Sequence, residues 1–440
     1  MNVHTICVDF GTSSIRAGLR KERLHGSEPL PIAPGSSIDN ASIPSAIFVP
    51  SSGEEIVFGV KALERGLSSK KALLFELSPK AWLGPGEIKN IDKPAIEGLP
   101  FTRRQVSAGL ASVAFKASLR AAARSADGDF GFRISHPVWK PEHSQPLSGI
   151  YGSLRRAAQC EAGRKIKSSM TFSAFERWCK DVPIEETVSV GGVEIEEPVA
   201  ATVELFSKRE SDSRAAALIV DVGAGTIDLG LFSSIVPDRG SAVKQKLIEM
   251  AFPRSLYGAG DLIDLELLSM IGGRLDGGAQ GQLAAFENNI RFHKEQLFKS
   301  GRLAFRGVEV SIDELTRSRR LKRMAKGLEE AIAEMLTIAR PRIEEEMRLR
   351  YHPLEMLNVI FAGGGASLNF LQDTVEPAIR ASGICLAAAL HVAETPKGFP
   401  VEASLARMAV AMGGTVPENE WPERKWPDPI HRGLSSRRSK

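Results

Sequence analysis

One arrangement of apolar and polar positions occurs twice along the chain. Residues 8 to 19 read VDFGTSSIRAGL and residues 220 to 231 read VDVGAGTIDLGL, so Val, Asp, Gly, Ile, Gly and Leu recur at the same six places without a gap. Each copy opens with an apolar, β-rich stretch (Thr5 to Val8; Ala217 to Val220) and sets an acid at its end. A turn of small residues follows, and then a second short apolar strand. The pattern predicts two β-hairpins built on one plan, and such a doubling constrains architecture more firmly than any single motif.

Other stretches predict the remaining elements. Leu357 to Ser367, LNVIFAGGGAS, is an apolar strand that stops in three glycines before the helical pattern LNFLQDTVEPAI. That layout lets backbone lie close against a base or sugar. Val106, Leu110, Val113, Ala114, Ala117 and Leu119 stand at helical spacing within residues 101 to 124 and predict a packing helix. FRISHPVW, ending at Trp139, reads as a strand. The basic run Arg317 to Lys326 leads into a helix that Pro341 should kink or restart. Acids offset that run and aromatics are absent, so it reads as a solvated helix face rather than a nucleic-acid stripe. The tail from Pro417 to Lys440, with Trp421 and Trp426, has no periodicity and reads as disordered or docked on a partner.

Composition narrows the class. With 440 residues, 43% hydrophobic and 25% charged, the chain has a globular make-up and the length of two to four domains. Lys and Arg number 57 against 53 Asp and Glu, a formal +4 that argues against a nucleic-acid or membrane footprint. Cys7, Cys160, Cys179 and Cys385 show no paired spacing, which suggests neither zinc nor a disulfide framework and fits a reducing compartment. Met1 to Gly11 lacks the features of a secretion signal, and no apolar run reaches the length of a membrane span. A cytoplasmic protein of mixed α/β type is expected.

The small residues of the two turns carry the candidate chemistry. At Gly11, Thr12 and Ser13, and at Gly223, Ala224 and Gly225, a bulky anion can reach the main chain, where successive amides form a concave nest. A lone turn of this kind is more often a plain hairpin bend. Two in register, each with a strand-end acid (Asp9, Asp221), point to paired nests on one polyphosphate with Mg²⁺ bridging to it.

At these residues the chain resembles the actin-like ATPase superfamily, and within it the nucleotide-binding domain of the DnaK-type seventy-kilodalton heat-shock chaperones. The resemblance runs from about Val3 to about Gly414. VDFGTSS is similar to the first phosphate loop, VDVGAGTIDLGLF to the second and AGGGAS to the adenosine loop. IPSAIFVP and FGVKALERG, at Ile43 and Phe58, resemble the early strands and helix in the same order. SPKAWLG places the family's catalytic lysine on Lys80, and IEEPVAATVELF places its inter-lobe acid on Glu197. YGAGDLID and HKEQL match the turn at Gly260 and Asp261 and the adenosine-contacting helix at Lys294. The chain departs from the family at Ala224, Gly365, Ser367 and Glu295, positions that bear on base choice. Past Gly414 nothing resembles the interdomain linker or the peptide-binding domain.

The resemblance implies an α/β fold of two ribonuclease-H-like lobes with mixed sheets around a nucleotide cleft. Lobe I would span 1–205 and lobe II 206–416, with a helical insertion at about 261–315, a helix at about 401–413 crossing back to lobe I, and the tail at 417–440. It implies an ATP/ADP-binding, Mg²⁺-dependent ATPase, slow or partner-stimulated, that acts as a switch for an unidentified protein client. Asp9 and Asp221 would hold Mg²⁺, and Gly11 to Ser13 with Gly223 to Thr226 would hold the phosphates. Gly260, Asp261, Lys294, Gly363, Gly364 and Gly365 would hold the nucleoside. Lys80, Glu197, Asp221 and Thr226 would act on the γ-phosphate and the attacking water, with Asp221 as proton acceptor. A filament-forming ATPase and a metabolite kinase or phosphatase of the same superfamily are the alternatives. Without the resemblance, Lys80 reads more readily as a solvated surface lysine, Glu196 and Glu197 as a capping pair before Pro198, and Asp228 as either a cross-loop carboxylate or an exposed strand residue.

Overall fold

The structure, a computed structural model, describes residues 3–22, 26–33, 40–69, 71–139, 141–184, 194–207, 215–235, 246–275, 280–348, 356–392, 405–418 and 421. Both predicted hairpins form. The first joins β1 (Val3–Phe10) to β2 (Ser14–Arg20) and aligns Asp9 with Arg16. Its sheet is completed by β3 (Ser27–Pro29), β4 (Ser42–Pro44), β5 (Asp129–His136) and β6 (Glu194–Glu196). The second joins β7 (Ala215–Val222) to β8 (Thr226–Ile235) and aligns Asp221 with Asp228. Its sheet is completed by β9 (Lys246–Tyr257), β10 (Met356–Ala362) and β11 (Ala387–Val392).

The doubling extends from the hairpins to the sheets. The first sheet runs β6-β5-β1-β2-β3, with β4 also on β2; the second runs β11-β10-β7-β8-β9. In each, three antiparallel strands form a meander and two later strands add in parallel beside the first strand. Parallel central strands are covered on both faces and read as continuous apolar runs. Ile6, Cys7 and Val8, like Ala216 through Val220, are accordingly sealed from solvent.

Two cores result. One gathers Ile6, Val8 and Leu19 with α1 (Arg103–Ala122) and α2 (Pro141–Gln159). The Thr102 and Gln105 side chains cap the start of α1 reciprocally, a device worth about 1 kcal/mol. The other core gathers Leu218, Val220 and Leu231 with α3 (Glu197–Ser207), α4 (Gly260–Gly272) and α5 (Ile290–Ser300). It also takes in α6 (Arg319–Met347), α7 (Val375–Ser382) and α8 (Leu405–Gly413). The sheets are tied at their backs: a methyl placed on Gly18 of β2 would stand 2.5 Å from the Ala411 carbonyl of α8, so only glycine permits that approach.

Some expectations change. Helix α6 runs continuously through Pro341, so the helix does not restart there. Its charges pair with each other and with α4, as in Arg340 with Glu344 and Arg320 with Glu266. Trp421 of the expected disordered tail is docked: its indole donates to the Val416 carbonyl at 2.9 Å, and Arg133 of β5 lies 5.1 Å from its ring. Trp426 and the rest of the tail lie outside the described residues. Among the described residues no helix is long and apolar enough to cross a membrane, and all four cysteines are free thiols.

Candidate functional site

The hairpin turns meet. A methyl placed on Gly225 would stand 2.9 Å from the Thr12 hydroxyl, so the second turn lies directly against the first. Both turns dispose of their carbonyls in the same manner. Gly11 accepts from the Ser45 hydroxyl at 2.7 Å and Ser13 from the Ser45 amide at 3.1 Å. Ala224 accepts from the Asp261 amide at 2.7 Å, Gly225 from Gly258 at 2.7 Å and Gly223 from Gly260 at 3.3 Å. Among the described residues, the amides of Thr12, Ser13, Ala224 and Gly225 donate to no backbone carbonyl. Occupied carbonyls beside unpaired amides give each turn a net positive edge, the electrostatics of an anion nest.

The glycine turn after β10 closes on the second hairpin. Gly365 donates to the Val222 carbonyl at 3.0 Å, and Gly363 to Ala406 of α8 at 2.7 Å. Gly363 has φ 82°, and a methyl there would run into the Asp221 carboxylate and stand 2.5 Å from the Val222 carbonyl. Gly363→Ala is therefore expected to cost about 1–3 kcal/mol in a urea melt. An unchanged midpoint would show that the turn does not bear on Asp221. Gly364 borders open space, with nothing within 4 Å of an added methyl.

Carboxylates crowd behind the turns. Asp9, Asp221, Asp228 and Glu197 are all buried. Asp221 and Asp228 stand directly opposite across the hairpin, a like-charge pair that needs compensation. Burial first, and then Asp228 and Asp9, push Asp221 up to about 7. Asp228 is also pushed up by burial; it accepts from the Thr226 hydroxyl at 2.7 Å and from the Ser255 hydroxyl. Ser135 donates to Asp9 at 3.3 Å. The sequence left Asp228 open as an exposed strand residue; only 1% of it is accessible, which excludes that reading.

Lys80 and Glu197 pair at 2.5 Å, both buried. Pro79 opens the short 3₁₀ turn that carries Lys80, and Glu197 is the first residue of α3 before Pro198. Burial disfavours the Lys80 ammonium, but Glu197 together with Tyr151 and Asp9 outweighs it and holds the amine protonated. Burial, then Asp228 and Asp9, push Glu197 up to about 8 against the pull of Lys80. These directions compete for one proton. We place it on Lys80, because Glu197 and Asp9 both favour the ammonium.

Asp261, at the start of α4, is pushed up to about 6 by burial and Asp264. Lys294 of α5 pairs with Asp264 at 2.7 Å and donates to the Gly260 carbonyl at 3.3 Å, so Gly260, Asp261 and Lys294 form one group beside the second turn. Two neighbours escaped the sequence reading. Tyr151 of α2 is buried beside Lys80, Glu197, Asp228 and Asp9, and its phenol is pushed up by burial; an aromatic on an apolar helix face carries no distinguishing pattern. Arg291 lies three residues before Lys294 on α5 and donates to the Ser13 carbonyl at 2.9 Å. Its shared helix face with Lys294 was the available signal.

The donor set suits a sparse site. Among the described residues no three His, Cys, Asp or Glu groups converge as a ready-made metal cage. Mg²⁺ keeps several waters and takes one or two carboxylates plus phosphate oxygens, and buried carboxylates at the ends of the two first strands are donors of that kind. Asp9 and Asp221 fit that role. No family model matches the chain, and no curated protein shows significant similarity to it.

Proposed function

We propose that this chain is an ATP-binding, Mg²⁺-dependent ATPase with the actin-like fold of the DnaK-type chaperone motor, working as a nucleotide-dependent switch for a partner protein. The observation that carries the reading is the contact between Thr12 and Gly225, which joins two turns with unpaired amides into one cradle. The shared strand order of the two sheets supports a pair of ribonuclease-H-like lobes around that cradle.

In this reading each residue has a physical task. The turns at 11–13 and 223–226 bind the phosphates through the free amides of Thr12, Ser13, Ala224 and Gly225, while the Gly223 amide is spent on the Thr226 carbonyl at 2.8 Å; they hold the terminal phosphoryl group in line, and positioning is most of what this reaction requires. Asp9 and Asp221 would hold Mg²⁺, which when bound would offset charge on the phosphoryl oxygens. The Lys80 ammonium, kept charged by Glu197, faces the γ-phosphate and stabilises charge that grows as the bond breaks. Asp221, given this role by the resemblance, accepts the proton of the attacking water. Lys294 and the turns at Gly260 and Gly363–Gly365 lie where the nucleoside would rest.

Calorimetric titration tests the reading. Wild type is expected to bind ATP with Mg²⁺, with Asp9→Ala and Asp221→Ala each weakened at least about tenfold. Equal affinity in all three proteins overturns the assignment, and GTP as competitor reports base choice.

A further inference from the structure

Arg291 belongs to none of the motifs, yet it spans the two cores. Helix α5 is rooted in the second core through Ile290 and Leu297. From there the Arg291 guanidinium donates to the Ser13 carbonyl at 2.9 Å and to the Leu77 carbonyl, and it lies 3.5 Å from the Ser78 hydroxyl. Ser13 belongs to the first phosphate turn. Leu77 and Ser78 lead directly into the 3₁₀ turn that carries Lys80. Asp261, Asp264 and Glu295 face the guanidinium from its own side of the cleft, and Glu76 faces it from the other. One planar cation thus occupies two carbonyls on separate segments, a geometry that a fork of five N–H donors satisfies and a point charge does not.

We propose that Arg291 is a positioning residue that clamps the first phosphate turn and the Lys80 turn to the nucleotide-facing helix α5, so that opening the cleft also displaces Lys80. The clamp rests on the ATPase reading for its purpose, but its existence does not. While Arg291 holds both carbonyls, Lys80 stays in register with the amides of the first turn. Release of product requires the lobes to part, which breaks these bonds and withdraws Lys80 in the same movement. Lobe position and chemical competence are then one equilibrium rather than two.

Hydrogen exchange of the ligand-free protein is the primary test, on wild type, Arg291→Ala, Arg291→Lys and Phe292→Ala. Phe292 is the control, an exposed neighbour on the same helix. In Arg291→Ala, peptides covering 43–47, whose Ser45 amide donates to the Ser13 carbonyl, and 77–83, whose Ala81 amide donates to the Ser78 carbonyl, are expected to exchange about tenfold faster, although the substitution lies on the opposite lobe. The lysine variant should be intermediate and Phe292→Ala unchanged. Unchanged exchange in both lobe I peptides, or acceleration confined to α5 or spread over the whole protein, overturns the clamp. Release of a fluorescent ADP analogue is the second arm: Arg291→Ala should release it about tenfold faster and lose more in kcat than it gains in KM. An unaltered release rate overturns the coupling. Should wild type bind no nucleotide, the ATPase reading fails, and the exchange data still decide whether the clamp exists.

Discussion

Asp221→Asn is expected to make the free protein more stable at pH 8 while sharply reducing the proposed ATP hydrolysis. An ordinary aspartate titrates near 3.9, whereas burial and the neighbouring carboxylates push Asp221 up to about 7. Between those values the folded chain keeps a proton that the unfolded chain releases. Stability from this group is therefore intact below pH ~4, falls as the pH rises through the window, and is gone above about 7. Three pH units at ~1.4 kcal/mol each set an upper bound of about 4 kcal/mol. Asparagine has the shape of the protonated acid without the charge, so a gain of about 2–4 kcal/mol at pH 8 is expected, shrinking toward zero as the pH approaches 4. Urea melts of both proteins at pH 5, 6.5 and 8 measure it. Turnover should fall at least ~100-fold, the size of a lost general base. A destabilised variant at pH 8, or one with full turnover, would contradict the assignment.

Lys80→Met should act in the opposite sense on stability. Removing one partner of a buried ion pair leaves the other charge stranded, at a cost of about 3–5 kcal/mol. Here the loss depends on pH, since Glu197 is already pushed up to about 8 and can take a proton once the ammonium has gone. The full loss is expected above pH 8 and a smaller one at pH 6. Adding Glu197→Gln should restore most of the stability, because the stranded charge disappears, but none of the turnover. In both variants kcat should drop ~100-fold or more with ATP affinity changed only a few-fold, the signature of a group acting on the transition state. A double variant as unstable as the single one would show that packing, rather than charge, sets the cost; retained kcat would remove Lys80 from the chemistry.

Parts of this site were legible along the chain for a definable reason. A hairpin, its turn and the acid at its strand end depend on residues a few positions apart, so the repeat at 8–19 and 220–231 announced both turns before any fold was known. The strand and glycine turn at 357–367 are local in the same way. Lys80 was visible only through resemblance, since SPK at a helix start is also the pattern of a surface lysine, and its burial comes from groups distant in sequence. Asp228 was ambiguous because alternation along a strand does not say which face of a sheet another lobe will cover.

The sequence by itself determined two equivalent hairpins with bare turns, the acids that end their first strands and the third glycine turn, all properties of short stretches of backbone and of glycine's freedom. Only the tertiary structure decided that Thr12 touches Gly225, that Lys80 reaches Glu197 across 117 residues, and that Tyr151 and Arg291 join them. Each of those contacts follows from how two separately buried sheets pack and how α5 and α2 are carried against them. Burial of that kind is set by the sum of many apolar contacts and leaves no mark on the residues it brings together.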